Sequence, residues 1–125
     1  MELRESAQNY LESIYVISKR QDVVRATDIC AYFGYSRPTV SVALKHFREA
    51  GLIHVDANNH ITLTEEGLAV ATSMYERHTL LTKLLITMGV PKEIAVEDAC
   101  KIEHDLSPET FECMKNFLEN HPKGK

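Results

Sequence analysis

The stretch YSRPTVSVALKHFREAGLI, residues 35–53, constrains the fold more than any other part of the chain. Ser36 is a good N-cap, because its hydroxyl accepts an N–H from the first helical turn. Pro38 falls in that turn, where a missing N–H costs little. Val40, Leu44 and Phe47 recur at i, i+4 and i+7 and predict one buried stripe. Gly51 closes the helix. Two short β-like runs follow, LIHV and HITL, around the polar turn DANN at 56–59, and predict a hairpin. Ahead of it, Arg25 and Ala26 lead into a short helix, TDICAYF, stopped by Gly34. A first helix over about residues 4–19 places Leu11, Ile14, Tyr15 and Ser18 on one side. Asn9 and Glu12 stand at i, i+3 on a neighbouring face.

Helix, short helix, tight corner, capped helix, hairpin is the order of a winged helix-turn-helix. Helix 36–50 then enters a DNA major groove N-terminal end first. Ser36, Thr39 and Ser41 offer hydroxyls to phosphate oxygens, and the N–H groups at the helix start add to them. Arg37 reaches a guanine edge or a phosphate, and Lys45 a phosphate. Pro38 and Val42 offer apolar contact to thymine methyls. His60 and the asparagines of the hairpin tip face the DNA backbone. Cys30 reads as a small core residue. His46 and His54 read as surface residues.

A net charge of −4 at first argues against such a partner. The distribution argues otherwise. Residues 1–55 carry seven Lys/Arg and six Asp/Glu, while residues 56–125 carry seven and twelve. Residues 36–48 hold Arg37, Lys45 and Arg48 and no acid. Fields beyond roughly 8–10 Å are screened, so a local basic patch on an acidic protein still binds phosphate.

The 125 residues suffice for one compact domain or two small packed units. No apolar run approaches the roughly 20 residues of a membrane span. The N-terminus, MELRESAQNY, has no signal-peptide core, which leads us to expect a cytoplasmic location. Cys30, Cys100 and Cys113 are odd in number and widely spaced, against a disulfide framework or a zinc ribbon.

Beyond the hairpin, Thr64 caps a long helix over 65–88. Its apolar positions are Leu68, Ala71, Tyr75, Leu81, Leu85 and Met88, and His78 sits within that stripe. Pro91 opens a helix over 91–106. Ser107-Pro108-Glu109 starts a last one to about Asn120, followed by a loose tail, HPKGK. A winged helix does not need these helices, whose apolar stripes have too little partner surface in one chain. The expected fold is therefore mainly α: a winged helix-turn-helix over 1–64 and a helical dimerisation domain over 65–125. A two-fold homodimer presents two recognition helices to a palindromic operator in double-stranded DNA.

Within DACKIEHDLS, 98–107, Cys100, Glu103 and His104 share one helical face and carry three metal-ligand chemistries. That spacing alone is a weak signal.

Four stretches together, NYLESIY (9–15), SRPTVS (36–41), YERHTLL (75–81) and DACKIEHDLS, carry a stronger one. Through them the chain resembles the diphtheria toxin repressor family of metal-dependent transcriptional regulators, which includes the manganese transport regulators. The resemblance covers essentially the whole chain. The family's C-terminal SH3-like domain has no room, so the short, two-domain form is expected. The resemblance implies metal ligands at Asn9 and Glu12 of the first helix, at His78, and at Cys100, Glu103 and His104. Manganese-type members have Asp at the Asn9 position and Glu at the Cys100 position; iron-type members have Met and Cys. Asn9 matches neither and offers a neutral amide oxygen. Thr82 and Val96 replace the carboxylate and imidazole of the iron-type ancillary site, so a second site would be built from Glu12, His78 and Glu103. The implied mechanism is that a divalent ion ties the DNA-binding half to the dimerisation half and sets the spacing of the recognition helices.

Thiolate, imidazole and carboxylate together suit Fe(II), Co(II), Ni(II) or Zn(II) better than Mn(II). Cellular availability favours Fe(II), with Mn(II) next. Two rival readings remain. One is a metal-independent winged-helix regulator. The other is an enzyme, because His104-Asp105 is the HD dipeptide of metal phosphohydrolases. No HExxH, phosphate loop or further HD ligand supports the enzyme. No membrane partner and no organic substrate is expected.

Overall fold

The computed structural model describes residues 5–120. The expected start of the first helix at residue 4 and the tail at 121–125 lie outside the described residues. The elements are α1 (Glu5–Arg20), α2 (Ala26–Phe33), α3 (Arg37–Glu49), β1 (Ile53–Val55), β2 (Ile61–Leu63), α4 (Glu65–Thr87), α5 (Lys92–Ile102) and α6 (Pro108–Asn120). The chain divides within α4, between Ser73 and Met74, into two compact units.

The first unit is the winged helix-turn-helix. Ser36 caps α3 as expected, its Oγ accepting the Thr39 N–H at 3.3 Å. Val40, Leu44 and Phe47 are all buried. Gly34 takes φ +76° and its N–H bonds Cys30 O at 2.7 Å, a left-handed cap that favours glycine. Around that corner Tyr10 packs against Phe33, Tyr35 and Phe47, with ring centroids 5.3, 6.0 and 5.4 Å away. Burial pushes the Tyr10 phenol above its ordinary pKa, with the nearby Tyr35 adding to the effect.

On α1 the buried stripe is Tyr10, Leu11, Ser13, Ile14 and Ile17. Ser18, expected on that side, is exposed, and its hydroxyl donates to Tyr15 O at 2.6 Å. The face is centred on Ile14, so Ile17 takes the next inward position and Ser18 rotates out.

The hairpin is antiparallel, pairing Ile53 with Leu63, His54 with Thr62 and Val55 with Ile61. Ile53 and Ile61 are buried while His54 and Thr62 are exposed, the alternation of a half-buried ribbon. Its base is pinned, because Ile61 N–H donates to Val24 O at 2.8 Å between two buried side chains. Thr64 caps α4, accepting from Gly67 N at 3.1 Å and donating to Gly51 O at 2.8 Å. A Cβ on Gly67 would stand 2.0 Å from Leu52 O, so only glycine lets the first turn of α4 approach so closely.

The second unit holds the rest of α4 with α5 and α6. Its buried apolar residues are few: Met74, Leu81, Ala95, Ala99 and Phe111. Large apolar side chains stay in solvent, notably Met88 at 70%, Phe117 at 54% and Ile94 at 49% exposure. On α4, Ala71 and Leu81 are buried as expected and Leu68 is exposed; the helix ends at Thr87, one residue short of the expected 88, and Met88 just beyond it is exposed. The helix expected over 91–106 is shorter, since α5 ends at Ile102 with Glu103 as its C-cap. Pro108 disfavours helical backbone at Ser107, and the chain uses 103–107 to turn into α6. Ser107 caps that helix, accepting from Thr110 N at 3.1 Å.

Candidate metal centre and nucleic-acid interface

In the first unit, Ser36, Arg37, Pro38, Thr39, Ser41, Val42 and Lys45 are all exposed. Arg37, Ser41 and Lys45 line an open cleft of about 390 Å³ between α3 and the hairpin. Arg25, Thr27, Arg48, Asn58 and Asn59 complete its polar lining, and no carboxylate lines it. Four cations around an acid-free concavity make a natural phosphate seat. Ser36 and Thr39 do not line it, and their hydroxyls lie 2.9 Å from each other. Sequence reasoning overlooked Arg25 and Thr27. They stand about ten residues before α3 in the chain, and only the fold brings them to its cleft.

In the second unit, Glu103 is fully buried, an expensive place for a carboxylate. Its Oε1 lies 2.9 Å from Nδ1 of His78 on α4. Its Oε2 lies 3.9 Å from Nε2 of His104, whose side chain is 3% exposed. That Oε2 has no hydrogen-bond partner, and neither has the buried Oγ1 of Thr82, one turn beyond His78. Cys100 is half-buried on α5, three residues before Glu103. Of the expected ligands in this unit, the structure thus brings His78, Glu103 and His104 around one carboxylate. Asn9 and Glu12 stand half-buried on α1, in the first unit.

The donor set fits a divalent transition metal. Imidazole and carboxylate are ordinary ligands for such ions. A buried anionic oxygen lacking a hydrogen bond is a group that a cation would satisfy.

Arg77 is the positioning residue that sequence reasoning missed. Its Nη1 donates to Glu103 O at 3.0 Å and to Leu106 O at 2.7 Å, carbonyls that the end of α5 leaves without helical partners. Its guanidinium lies over the Phe111 ring, 5.4 Å from the centroid. Successive residues of α4 therefore hold the Glu103 turn, Arg77 by the backbone and His78 by the carboxylate. The only sequence signal was the adjacency of Arg77 to His78.

Residues 2–61 match the family described as iron dependent repressor, N-terminal DNA binding domain. Residues 64–124 match its metal binding and dimerisation domain. The chain is 35% identical over 118 residues to the transcriptional regulator MntR of Escherichia coli, covering 94% of this chain and 76% of that protein. It is 30% identical over 120 residues to the iron-dependent repressor IdeR of Mycobacterium tuberculosis, covering 95% of this chain and 52% of that one. The structure of the manganese regulator SloR superimposes with a TM-score of 0.78 at 28% identity, over 98% of this chain and 56% of that one. The chain therefore spans about half the length of IdeR and SloR.

Proposed function

The chain belongs to the iron-dependent repressor family, and from that membership we propose that it is a metal-dependent transcriptional repressor of metal-uptake genes. In this reading it acts in the cytoplasm as a homodimer on a palindromic operator. Residues 1–64 bind DNA through Ser36, Arg37, Pro38, Thr39, Ser41, Val42 and Lys45. Residues 65–125 bind metal and dimerise.

The observation that carries the reading is the buried Glu103 carboxylate between two imidazoles, with one oxygen unpaired. A divalent cation supplies the positive charge that this oxygen lacks. His78, Glu103, His104 and Cys100 hold it, and Glu12 with Asn9 of α1 completes the set. His78 is oriented by its bond to Glu103, and Arg77 holds the turn that presents both Glu103 and His104. Cys100 favours Fe(II) through its soft thiolate, with Co(II), Ni(II) and Zn(II) as in vitro substitutes. Mn(II) is the second reading, favoured by Glu12, a hard oxygen donor.

The enzyme reading gains no support from its dipeptide. The His104 side chain is almost fully buried, whereas Asp105 is exposed in the turn. Among the described residues no helix is long and apolar enough to cross a membrane.

Binding of duplex DNA by the purified protein, against a panel of divalent metals under anaerobic, reducing conditions, tests the proposal. Fe(II) or Mn(II) should tighten binding at least tenfold over the metal-free protein. Equal binding with and without every metal favours a metal-independent regulator instead.

A further inference from the structure

The hairpin reaches across to the start of α2 through a chain of three side chains. Arg25 Nη2 lies 2.9 Å from Nε2 of His60. An arginine is always a donor, so Nε2 accepts and the ring proton sits on Nδ1. That Nδ1 faces Asp56 Oδ2 at 3.5 Å. The other oxygen, Oδ1, accepts the backbone N–H groups of Asn58 at 2.8 Å and His60 at 2.9 Å. The Asp56 carboxylate is therefore fixed by its own turn, and it orients the ring that in turn orients the arginine. Beneath this relay, the backbone bond from Ile61 to Val24 ties the same two segments together at 2.8 Å.

We propose that Asp56 and His60 form a positioning dyad that aims Arg25 at a DNA phosphate, making the start of α2 and the hairpin a single phosphate-binding station. The proposal rests on the DNA-binding reading above and deepens it. Arg25 lines the acid-free cleft together with Arg37, Lys45 and Arg48. Holding a cation with a neutral imidazole keeps its charge available, whereas a direct pair with a carboxylate would cancel it. The contact with His60 uses one of the five guanidinium N–H donors. Aiming a flexible arginine in advance reduces the rotamer entropy lost when a phosphate arrives.

The test uses the full chain loaded with Mn(II) and a random-sequence duplex, with affinity measured by fluorescence anisotropy across a salt series. Arg25→Ala should weaken binding severalfold and make the salt dependence shallower by about 0.9, the contribution of one phosphate contact. Arg25→Gln should do the same, which separates lost charge from lost packing. His60→Ala should weaken binding in wild type but cost nothing further in the Arg25→Ala background, as residues acting through one contact do. His60→Gln should restore binding, since its amide oxygen also accepts from a guanidinium. A salt slope unchanged by Arg25→Ala overturns the station. Additive losses at 25 and 60, or failure of His60→Gln to rescue, overturn the dyad. If wild type binds no duplex with any metal, both this proposal and the DNA-binding reading fall.

Discussion

One guanidinium nitrogen of Arg77 bonds the carbonyl oxygen of Glu103 at 3.0 Å, so a residue on α4 holds the backbone of a buried acid 26 positions away. The same nitrogen bonds Leu106 O at 2.7 Å. Arg77→Ala leaves two partly buried carbonyls without these donors, at about 1–3 kcal/mol each before water relieves them. Calorimetric melting of the metal-free protein should show this loss. Arg77→Lys, with one point charge in place of a planar fork, should recover only part of it. A melting temperature equal to wild type for Arg77→Ala would show that the turn holds itself.

Glu103→Gln should separate fold from metal. It removes the buried charge and nearly conserves shape, so the metal-free variant should melt no lower than wild type. Metal should then no longer raise its melting temperature. A ligand at a hundredfold its Kd adds about 2.7 kcal/mol to the stability of the wild-type fold. An equal metal-induced shift in variant and wild type would remove Glu103 from the ligand set.

Local chemistry made the DNA-binding half readable. Ser36 before Arg37-Pro38, Gly34 at the corner and the DANN turn each dictate a backbone conformation within a few residues, and each element formed where they place it. Helix faces were less readable. Ser18 and Ile17 are adjacent, and which one points inward depends on where Ile14 meets the rest of the core. The end of α5 was misjudged because Pro108 disfavours helical backbone at Ser107, and the chain turns over 103–107 instead of continuing the helix. The Arg25–His60 contact spans 35 residues and has no local signature at all. Spacing showed Cys100, Glu103 and His104 on one helical face, a weak signal by itself, and only the family resemblance joined them to Asn9, Glu12 and His78.

Acid should loosen the hairpin tip. Backbone N–H bonds, first from His60 and then from Asn58, hold the Asp56 carboxyl below its ordinary pKa. A depressed folded pKa means that the folded state binds fewer protons than the unfolded one. The contribution is therefore complete above the unfolded carboxylate pKa near ~3.9 and is lost as pH falls through the lower, folded value. Amide exchange at Asn58 and His60 should accelerate over that range relative to the core amides of α1. In Asp56→Asn the protonation step is gone, so the added acid sensitivity of these two amides should vanish. If the variant retains it, another group governs the tip.

The exposed Ile86, Met88, Ile94, Val96 and Phe117 of the second unit predict a homodimer built after about residue 64. Sedimentation at micromolar concentration should give twice the chain mass of 14.2 kDa. Met88→Glu and Phe117→Glu should each shift the protein towards monomer. Monomer for wild type, with and without metal, would end this assignment.

Cys100 should tune which metal activates. Cys100→Glu replaces a soft thiolate by a hard carboxylate and recreates the manganese-type residue at this position. Helix formation is no obstacle within α5, since glutamate is a better helix former than cysteine. The expected result is a DNA-binding profile shifted from Fe(II) and Co(II) towards Mn(II), with the fold intact. The competing possibility is that Cys100 only packs. Cys100 is half-buried, so in that case the added charge would lower stability without regard to the metal present. Melting curves and duplex binding, taken for wild type and variant with each metal, separate the two outcomes. A well-folded variant with an unchanged metal ranking would refute the tuning role, while leaving Glu12, His78, Glu103 and His104 to form the site.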